Sequence, residues 1–523
     1  MHRVVSVVAL AAAAAALFVS AASARVLRVG SFRGIPGQFG SIQSAVDAAR
    51  PGDWILVGPG DYKERADHRR NRGAQPASYP SGVVITTPHV YLRGMNRNKV
   101  VVDGTKPGSA PCSRRKPAQD LGPRGRKGRL GRNGILIYRA NDVWVQNLTV
   151  CNFLSGKGQS GNEIWWSGND NGRIDGHGYL GSYLSATSTY YGGDRLAAQY
   201  GIFSKNWSGG AWDNIYASNF SDSGFYIGAC MQVCNQTIDH GHAQFNSVGY
   251  SGSNSGGTLV VKNSEFDQNT DGFDTNTQNT DAPPPQNGAC PHNGISPITH
   301  THSCWVAMDN YIHDNNNPNL PETGAAGAVA VGVGLSISGG RNDTVMHNRI
   351  VRNNAWGTLI QIFPDSGGPC TGGTRNYPLL GKGSCLFDSW GNAILSNSFA
   401  GNGGFAHPTN GDIALLNLEG GHPTNCFAGN TDPAGLTTSP PNLEQTYPAC
   451  TGAPGPANAN VPLITELLCG SEGTLVSLKV PCPAGHYPKR TRVIMHPLPK
   501  GLRSMPNPCA GVPANPWCPG RRH

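Results

Sequence analysis

Gln236-Thr237-Ile238-Asp239-His240-Gly241-His242-Ala243-Gln244-Phe245-Asn246 and Leu259-Val260-Val261-Lys262-Asn263-Ser264-Glu265-Phe266-Asp267-Gln268-Asn269 superpose at a spacing of 23 residues. Ile238 and Val261 take the first position, Ala243 and Phe266 follow five residues on, and Asn246 and Asn269 three beyond. The pattern extends in both directions. Its first position falls at Val145, Ile215, Ile238, Val261, Ala307, Val345 and Ile394, and its second at Val150, Phe220, Ala243, Phe266, Ile312, Ile350 and Phe399. Asn246, Asn269, Asn315, Asn353 and Asn402 fill the third, with Phe153 and Ser223 as exceptions. A unit this short cannot bury a core alone, so the repeat predicts stacked coils of a solenoid. Equivalent residues then stand about 4.8 Å apart in parallel strands, apolar side chains inward and Asn side chains laddered at the turns.

Composition agrees. The 523 residues include 70 Gly, 39 Pro and 44 Asn, all poor helix formers. Gly plus Pro is 109 of 523, below the roughly 25–30% of low-complexity chains, and 38% hydrophobic content supports a core. One helix is predicted over 41–50: Ile42, Ala45, Val46 and Ala49 share a face, Ser41 is the N-cap and Pro51-Gly52 the stop. Trp54-Ile55-Leu56-Val57 follows as a buried strand. A short apolar helix before strands suits a lid on the open end of a solenoid.

The run Ile42-Gln43-Ser44-Ala45-Val46-Asp47-Ala48-Ala49, with Pro51-Gly52-Asp53 and Gly58-Pro59-Gly60-Asp61-Tyr62, resembles the amino-terminal cap and first coil of the pectin-lyase-like superfamily. With the Asn-bearing coils the resemblance covers about residues 37–430. It implies an all-β fold, a right-handed parallel β-helix with a short N-terminal capping α-helix. It leaves activity open among lyases, hydrolases, esterases, epimerases and proteins with no known reaction.

Residues 1–24 read as a secretory signal: Arg3, an apolar run from Val4 to Val19, and Ala22-Ser23-Ala24 for cleavage. No later segment is apolar enough to span a bilayer, so the mature chain is expected to be extracellular and monomeric. Fourteen cysteines agree with export, and Cys230/Cys234, Cys290/Cys304 and Cys370/Cys385 are the expected close pairs. The β-helix is expected over 25–430, interrupted by a basic loop at 106–132 and an aromatic insertion at 161–212. Residues 431–523, rich in Pro, Gly and Cys, lack the repeat and read as a disulfide-tied tail or small cap, with Cys426 as a possible partner for its five thiols.

The net charge of +9 is concentrated in 106–132, where nine basic residues face one acid, Asp120. Such a loop suits an acidic polymer such as a uronate polysaccharide, or a solvated surface without a partner. No nucleic-acid recognition module accompanies it. Tyr216, Asp239 and Lys262 follow the first apolar position in three successive coils and are expected in one outward column, a carboxylate, cation and ring suited to a uronate or to a surface salt bridge. Asn269-Thr270-Asp271-Gly272-Phe273-Asp274 is similar to the Asn-Thr-Asp motif of polygalacturonase-type hydrolases, which implies a catalytic carboxylate at Asp271. The Asp-Asp pair of that family is missing, and Gly176-His177-Gly178 precedes the motif instead of following it. The candidate catalytic residues are Asp239, Lys262, Asp271 and Asp274; the candidate substrate-binding residues are Tyr216, Trp165, Trp166, Trp207 and Trp212, whose rings either pack on the solenoid or line a glycan groove. His242, His300 and His302 could join Asp239 or Asp271 around a metal, but their spacing matches no metal motif and no metal site is assigned. The cofactor is left open, with Ca2+ as the candidate ion. Neither a Gly-x-Ser-x-Gly elbow nor a P-loop is present. The sequence therefore points to a secreted β-helix protein that acts on or binds an acidic extracellular polysaccharide, with lyase, hydrolase or epimerase chemistry on its lateral face. The competing reading is a non-catalytic surface or adhesive protein.

Overall fold

The structure, a computed structural model, describes residues 24–65, 80–158, 161–169, 172–279, 285–324, 330–378, 380–470 and 487–520. The expected signal segment through residue 23, and Cys482 of the tail, lie outside them. Among the described residues, strands of successive coils pair in parallel into one sheet of 20 strands, the wide sheet, and one of 11, the narrow sheet. Val145, Gly181, Trp212, Ile238, Val261, Ala307, Val345 and Ile394 form one register of the wide sheet. Val150, Ala186, Ala217, Ala243, Phe266, Ile312, Ile350 and Phe399 form a second. The nine-residue strands Val143–Cys151 and Tyr179–Thr187 run through both and fuse them. Ile135, Ile164, Ile202, Phe225, Tyr250, Phe273, Leu335, Thr358 and Ile413 form the register of the narrow sheet. These registers enclose one continuous core, and the fold is a parallel β-helix.

The expected Asn ladder is formed at a buried turn. The backbone N–H of Asn246, Asn269, Asn315 and Asn353 donates to the side-chain oxygen of Asn269, Asn315, Asn353 and Asn402 in turn, at 2.8–3.2 Å. A second ladder runs through Asn310, Asn348, Asn397 and Asn430. Each rung satisfies backbone groups that a turn would otherwise bury unpaired.

The alignment is corrected in one region. The sequence placed Ile215 and Phe220 in the repeat register, but Trp212 and Ala217 occupy it, three residues earlier. Ile215 and Phe220 are also buried, so both settings look apolar. The coil at Tyr179–Thr187 escaped detection because a glycine, Gly181, takes the inward position beside the Trp212 ring, where a Cβ would lie 2.7 Å from it. Tyr216 consequently pairs with His242, while Asp213, Asp239 and Lys262 share the outward column.

The segment 161–212 is likewise not an insertion. It supplies regular strands at Asn162–Ser167, Tyr179–Thr187, Tyr200–Lys205 and Gly210–Asp213. Trp166, Trp207 and Trp212 are fully buried, with Trp166 and Trp212 both packed on Tyr179 inside the solenoid. They fill the core and offer no stacking surface to a ligand.

A helix spans Ile42–Ala48, N-capped by Ser41, with Ile42, Ala45 and Val46 in the core. Beyond the last coils a helix at Val461–Gly470 packs Leu463 and Leu467 with Trp356 and Leu416. The chain from 487 then runs back along the solenoid as a strap. Ile494 N–H reaches the Asn319 carbonyl at 2.9 Å, His496 exchanges hydrogen bonds with Asn219 at 2.8 and 2.9 Å, Met505 N–H bonds Asn147 Oδ1 at 2.9 Å, and Trp517 Nε1 bonds the Ile35 carbonyl at 3.0 Å. The three expected disulfides are present, together with Cys112–Cys151, Cys426–Cys450 and Cys509–Cys518.

Candidate functional site

The candidate carboxylates separate onto two faces. Asp239 and Lys262 lie on the wide sheet, whereas Asp271 and Asp274 lie on the narrow one, so no groove holds all four. Asp239 is paired with Lys262 at 3.3 Å and with His240 at 2.9 Å, and Asn263 donates to it at 2.9 Å. Partial burial works against its charge, yet these partners hold its carboxyl below the usual range. A carboxylate so stabilised is a poor acid or base near neutrality. Tyr216 is buried, its hydroxyl accepting from Gln244 at 2.7 Å, and so offers no open ring.

On the narrow sheet the alternation that turns Phe273 inward turns Asp274 outward, level with Ser251 and Ser336 on the flanking coils. Ser336 Oγ lies 2.6 Å from Asp274 Oδ1 and 3.2 Å from Asp271 Oδ2. One hydroxyl proton cannot serve two carboxylates, so a proton on Asp271 that donates to Ser336, which donates to Asp274, satisfies all three groups. Burial and the charge of Asp274 push the Asp271 carboxyl well above its ordinary range. Burial also raises Asp274, against donors at Ser336, Asn276 and Ser338. A third carboxylate, Asp222, accepts from Tyr200 at 2.9 Å, Gln199 at 3.2 Å and Ser223 at 2.9 Å. Burial, helped by the charge of Asp274, lifts it to about 6. Among the described residues, none of the three is paired with a cation.

A cleft of about 800 Å³ is lined by Arg129, Lys157, Asp194, Arg195, Gln199 and Thr323. Gln199 is shared between the cleft and the Asp222 carboxylate. Arg129, Lys157 and Arg195 are exposed, and Arg129 comes from the basic loop. The outward row of the narrow sheet also carries Trp165, Phe203 and Tyr226, on the three coils before Ser251 and Asp274. Phe203 stacks on Trp165 at 5.3 Å and on Tyr200 at 4.3 Å. Trp165 is thus the one candidate tryptophan on an outer face, and these rings largely cover one another.

Sequence reasoning missed Asp222, Gln199, Lys157 and Arg195. Only a partial signal existed for the first: Ser223-Gly224-Phe225 shares the register of Asp271-Gly272-Phe273 through Val248 and Tyr250, so Asp222 stands one residue ahead of the position that Asp271 takes. The cleft residues carry no pattern, since loops from distant coils meet there. Asn269, of the Asn-Thr-Asp motif, is buried in the ladder, and His177 of Gly176-His177-Gly178 is exposed on a separate two-stranded pairing. Among the described residues, no group of potential metal ligands combines His300 or His302 with Asp239 or Asp271.

No protein-family model matches the chain, and no curated protein matches it. Among solved structures it is similar to the mannuronan C-5 epimerase AlgE4 A-module of Azotobacter vinelandii, with 14% identity, 75% of this chain and 91% of that one covered, and a TM-score of 0.42. It is also similar to pectate lyase Pel9A, with 13% identity, 79% and 77% covered and a TM-score of 0.35. For the alginate lyase of Paenibacillus sp. str. FPU-7 the values are 11% identity, 79% and 97% covered and a TM-score of 0.36. Likeness at these values transfers neither a residue role nor an activity.

Proposed function

We propose that the chain is an exported polysaccharide-acting protein that performs proton-transfer chemistry on an acidic glycan at Asp222, Asp271 and Asp274. The observation that carries this reading is the burial of three interacting carboxylates that no cation pairs among the described residues, one of which, Asp222, is joined through Gln199 to a cleft that bears exposed Arg129, Lys157 and Arg195. Such burial opposes folding, and interacting carboxylates with raised affinities for protons are groups suited to chemical use. Asp271, whose carboxyl is pushed well above its ordinary range by burial and by the charge of Asp274, suits a general acid. Asp222, titrating near 6, suits a general base, and Ser336 can return a proton between Asp271 and Asp274. Arg129, Lys157 and Arg195 would neutralise uronate carboxylates. Export is supported by the disulfides, which persist in oxidising compartments, and no helix among the described residues is long and apolar enough to cross a membrane. The helix Ile42–Ala48 serves in this reading as the solenoid's end cap.

The test is incubation with oligomannuronate, oligoguluronate and oligogalacturonate, following unsaturated products, new reducing ends and epimer ratios in parallel. Turnover that disappears in Asp222→Asn and Asp271→Asn supports the assignment and identifies the reaction by its product. Turnover unchanged in both variants rules this site out. Oligouronate binding without turnover in the wild type favours the adhesive alternative.

A further inference from the structure

The wide sheet holds a second polar constellation that the proposed chemistry does not use. Three successive coils place His242, Glu265 and Tyr311 in one outward column, and Gln244, Asp267 and His313 in the column beside it. His242 Nε2 lies 2.7 Å from Asp267 Oδ1 and 4.0 Å from Glu265 Oε2. The ligand atoms of these three residues all fall within 4.8 Å of one another. His313 Nε2 reaches the other Glu265 oxygen at 3.1 Å.

We infer that His242, Glu265, Asp267 and His313 form a binding site for a divalent transition-metal ion of the zinc class. Two imidazoles and two carboxylates are the donor set that zinc takes in a four-coordinate site, and a mixed nitrogen and oxygen set disfavours calcium. The imidazoles are prepared for it. His313 Nδ1 bonds Asp314 at 2.7 Å, and Arg352 Nε fixes that carboxylate at 2.8 Å. Both His313 nitrogens face carboxylate oxygens and can donate to them; an ion would take the place of the Nε2 proton between His313 and Glu265 and leave the Nδ1 hydrogen bond to Asp314, the carboxylate-histidine arrangement that orients metal ligands. Tyr216 packs edge-on against His242, with ring centroids 5.5 Å apart. Side-chain exposures of 32% for His242 and 43% for Glu265 leave an entry path. The parallel strands supply the alignment, since equivalent residues of adjacent coils are already neighbours. An ion here would clamp three coils on either side of the long excursion between Asn276 and Trp305.

The test uses tag-free full-length chain, stripped with chelator and dialysed against Zn2+ or Co2+. One equivalent of Zn2+ per chain, a Co2+ absorption band of low-symmetry coordination, and a rise in Tm on adding Zn2+ are expected. His242→Gln/His313→Gln should lower affinity by at least about tenfold, with unchanged circular dichroism. Glu265→Gln, a milder change, should also weaken binding, and His240→Gln, at an exposed neighbour outside the set, should not. Absence of stoichiometric binding, or binding that the double variant retains in full, overturns the inference.

Discussion

Replacing Asp222 by Asn should stabilise the protein at neutral pH while abolishing turnover. In the folded chain burial raises the Asp222 carboxyl from 3.8 to about 6. Between those values the folded state holds a proton that the unfolded state has released. The contribution of Asp222 to stability is therefore fully present below about pH 4 and declines as pH rises through 6, after which it levels off. A rise of this size corresponds to about 3 kcal/mol. The amide can keep the contacts: its oxygen accepts from Tyr200 and Gln199, now at 2.9 and 3.2 Å, and its NH2 donates to Ser223 Oγ, now at 2.9 Å. The repulsion from Asp274 also disappears. Asp222→Asn should match the wild type near pH 4 and exceed it by up to about 3 kcal/mol near pH 7. Paired urea unfolding curves, with hydrogen exchange of the strand Ser223–Gly228 as a local probe, measure this difference. Taking the difference cancels the titration of distant buried acids such as Asp343 and Asp388. A difference that is constant from pH 4 to 7 would show that Asp222 ionises as freely as a surface carboxylate, and would remove the basis for its catalytic role.

The same titration governs activity: if Asp222 acts as the base, turnover should rise with pH through about 6, and a profile flat between 5 and 7 contradicts that role. Asn315→Ala should leave the backbone N–H and side-chain NH2 of Asn269 without their acceptor at 3.2 and 2.9 Å. At about 1–3 kcal/mol for each orphaned buried group, the loss in urea unfolding should be about 2–6 kcal/mol. Arg490→Ala removes a two-pronged contact to Asp194, both arms at 2.8 Å and partly exposed. It should cost less than about 1 kcal/mol globally, yet raise hydrogen exchange at Ile494 and His496 as the strap loosens. Non-reducing peptide mapping should recover Cys426–Cys450 and Cys509–Cys518, and a disulfide between those pairs instead would contradict the path of the tail.

The sequence by itself determined the solenoid, because burial in a stacked coil is a local property: an inward position must be apolar in every turn, and Ile238 and Val261 recur 23 residues apart, while Ala307, 46 residues on, still pairs with Val261 on the adjacent coil. The Asn rows were legible for the same reason, since each ladder repeats one turn. Close cysteine pairs needed only short loops. The register failed where the pattern was ambiguous. Around Ile215 and Phe220 apolar residues satisfy two settings three apart, and only hydrogen bonding along the sheet selects Trp212 and Ala217. Tyr216 was lost to that slip, and the tryptophans of 161–212 were misplaced because a wide core and a glycan groove demand the same residues. The candidate site was half legible: Asp271 and Asp274 sit in a motif, but their distance from Asp239 depends on which sheet each strand joins. Asp222, Gln199, Lys157 and Arg195 come together only because loops of different coils fold over one flank, and the strap from 487 crosses coils hundreds of residues away in sequence. Periodicity records which side chains are buried within a coil; contacts between coils and across faces arise from the closed three-dimensional path, which no local pattern encodes.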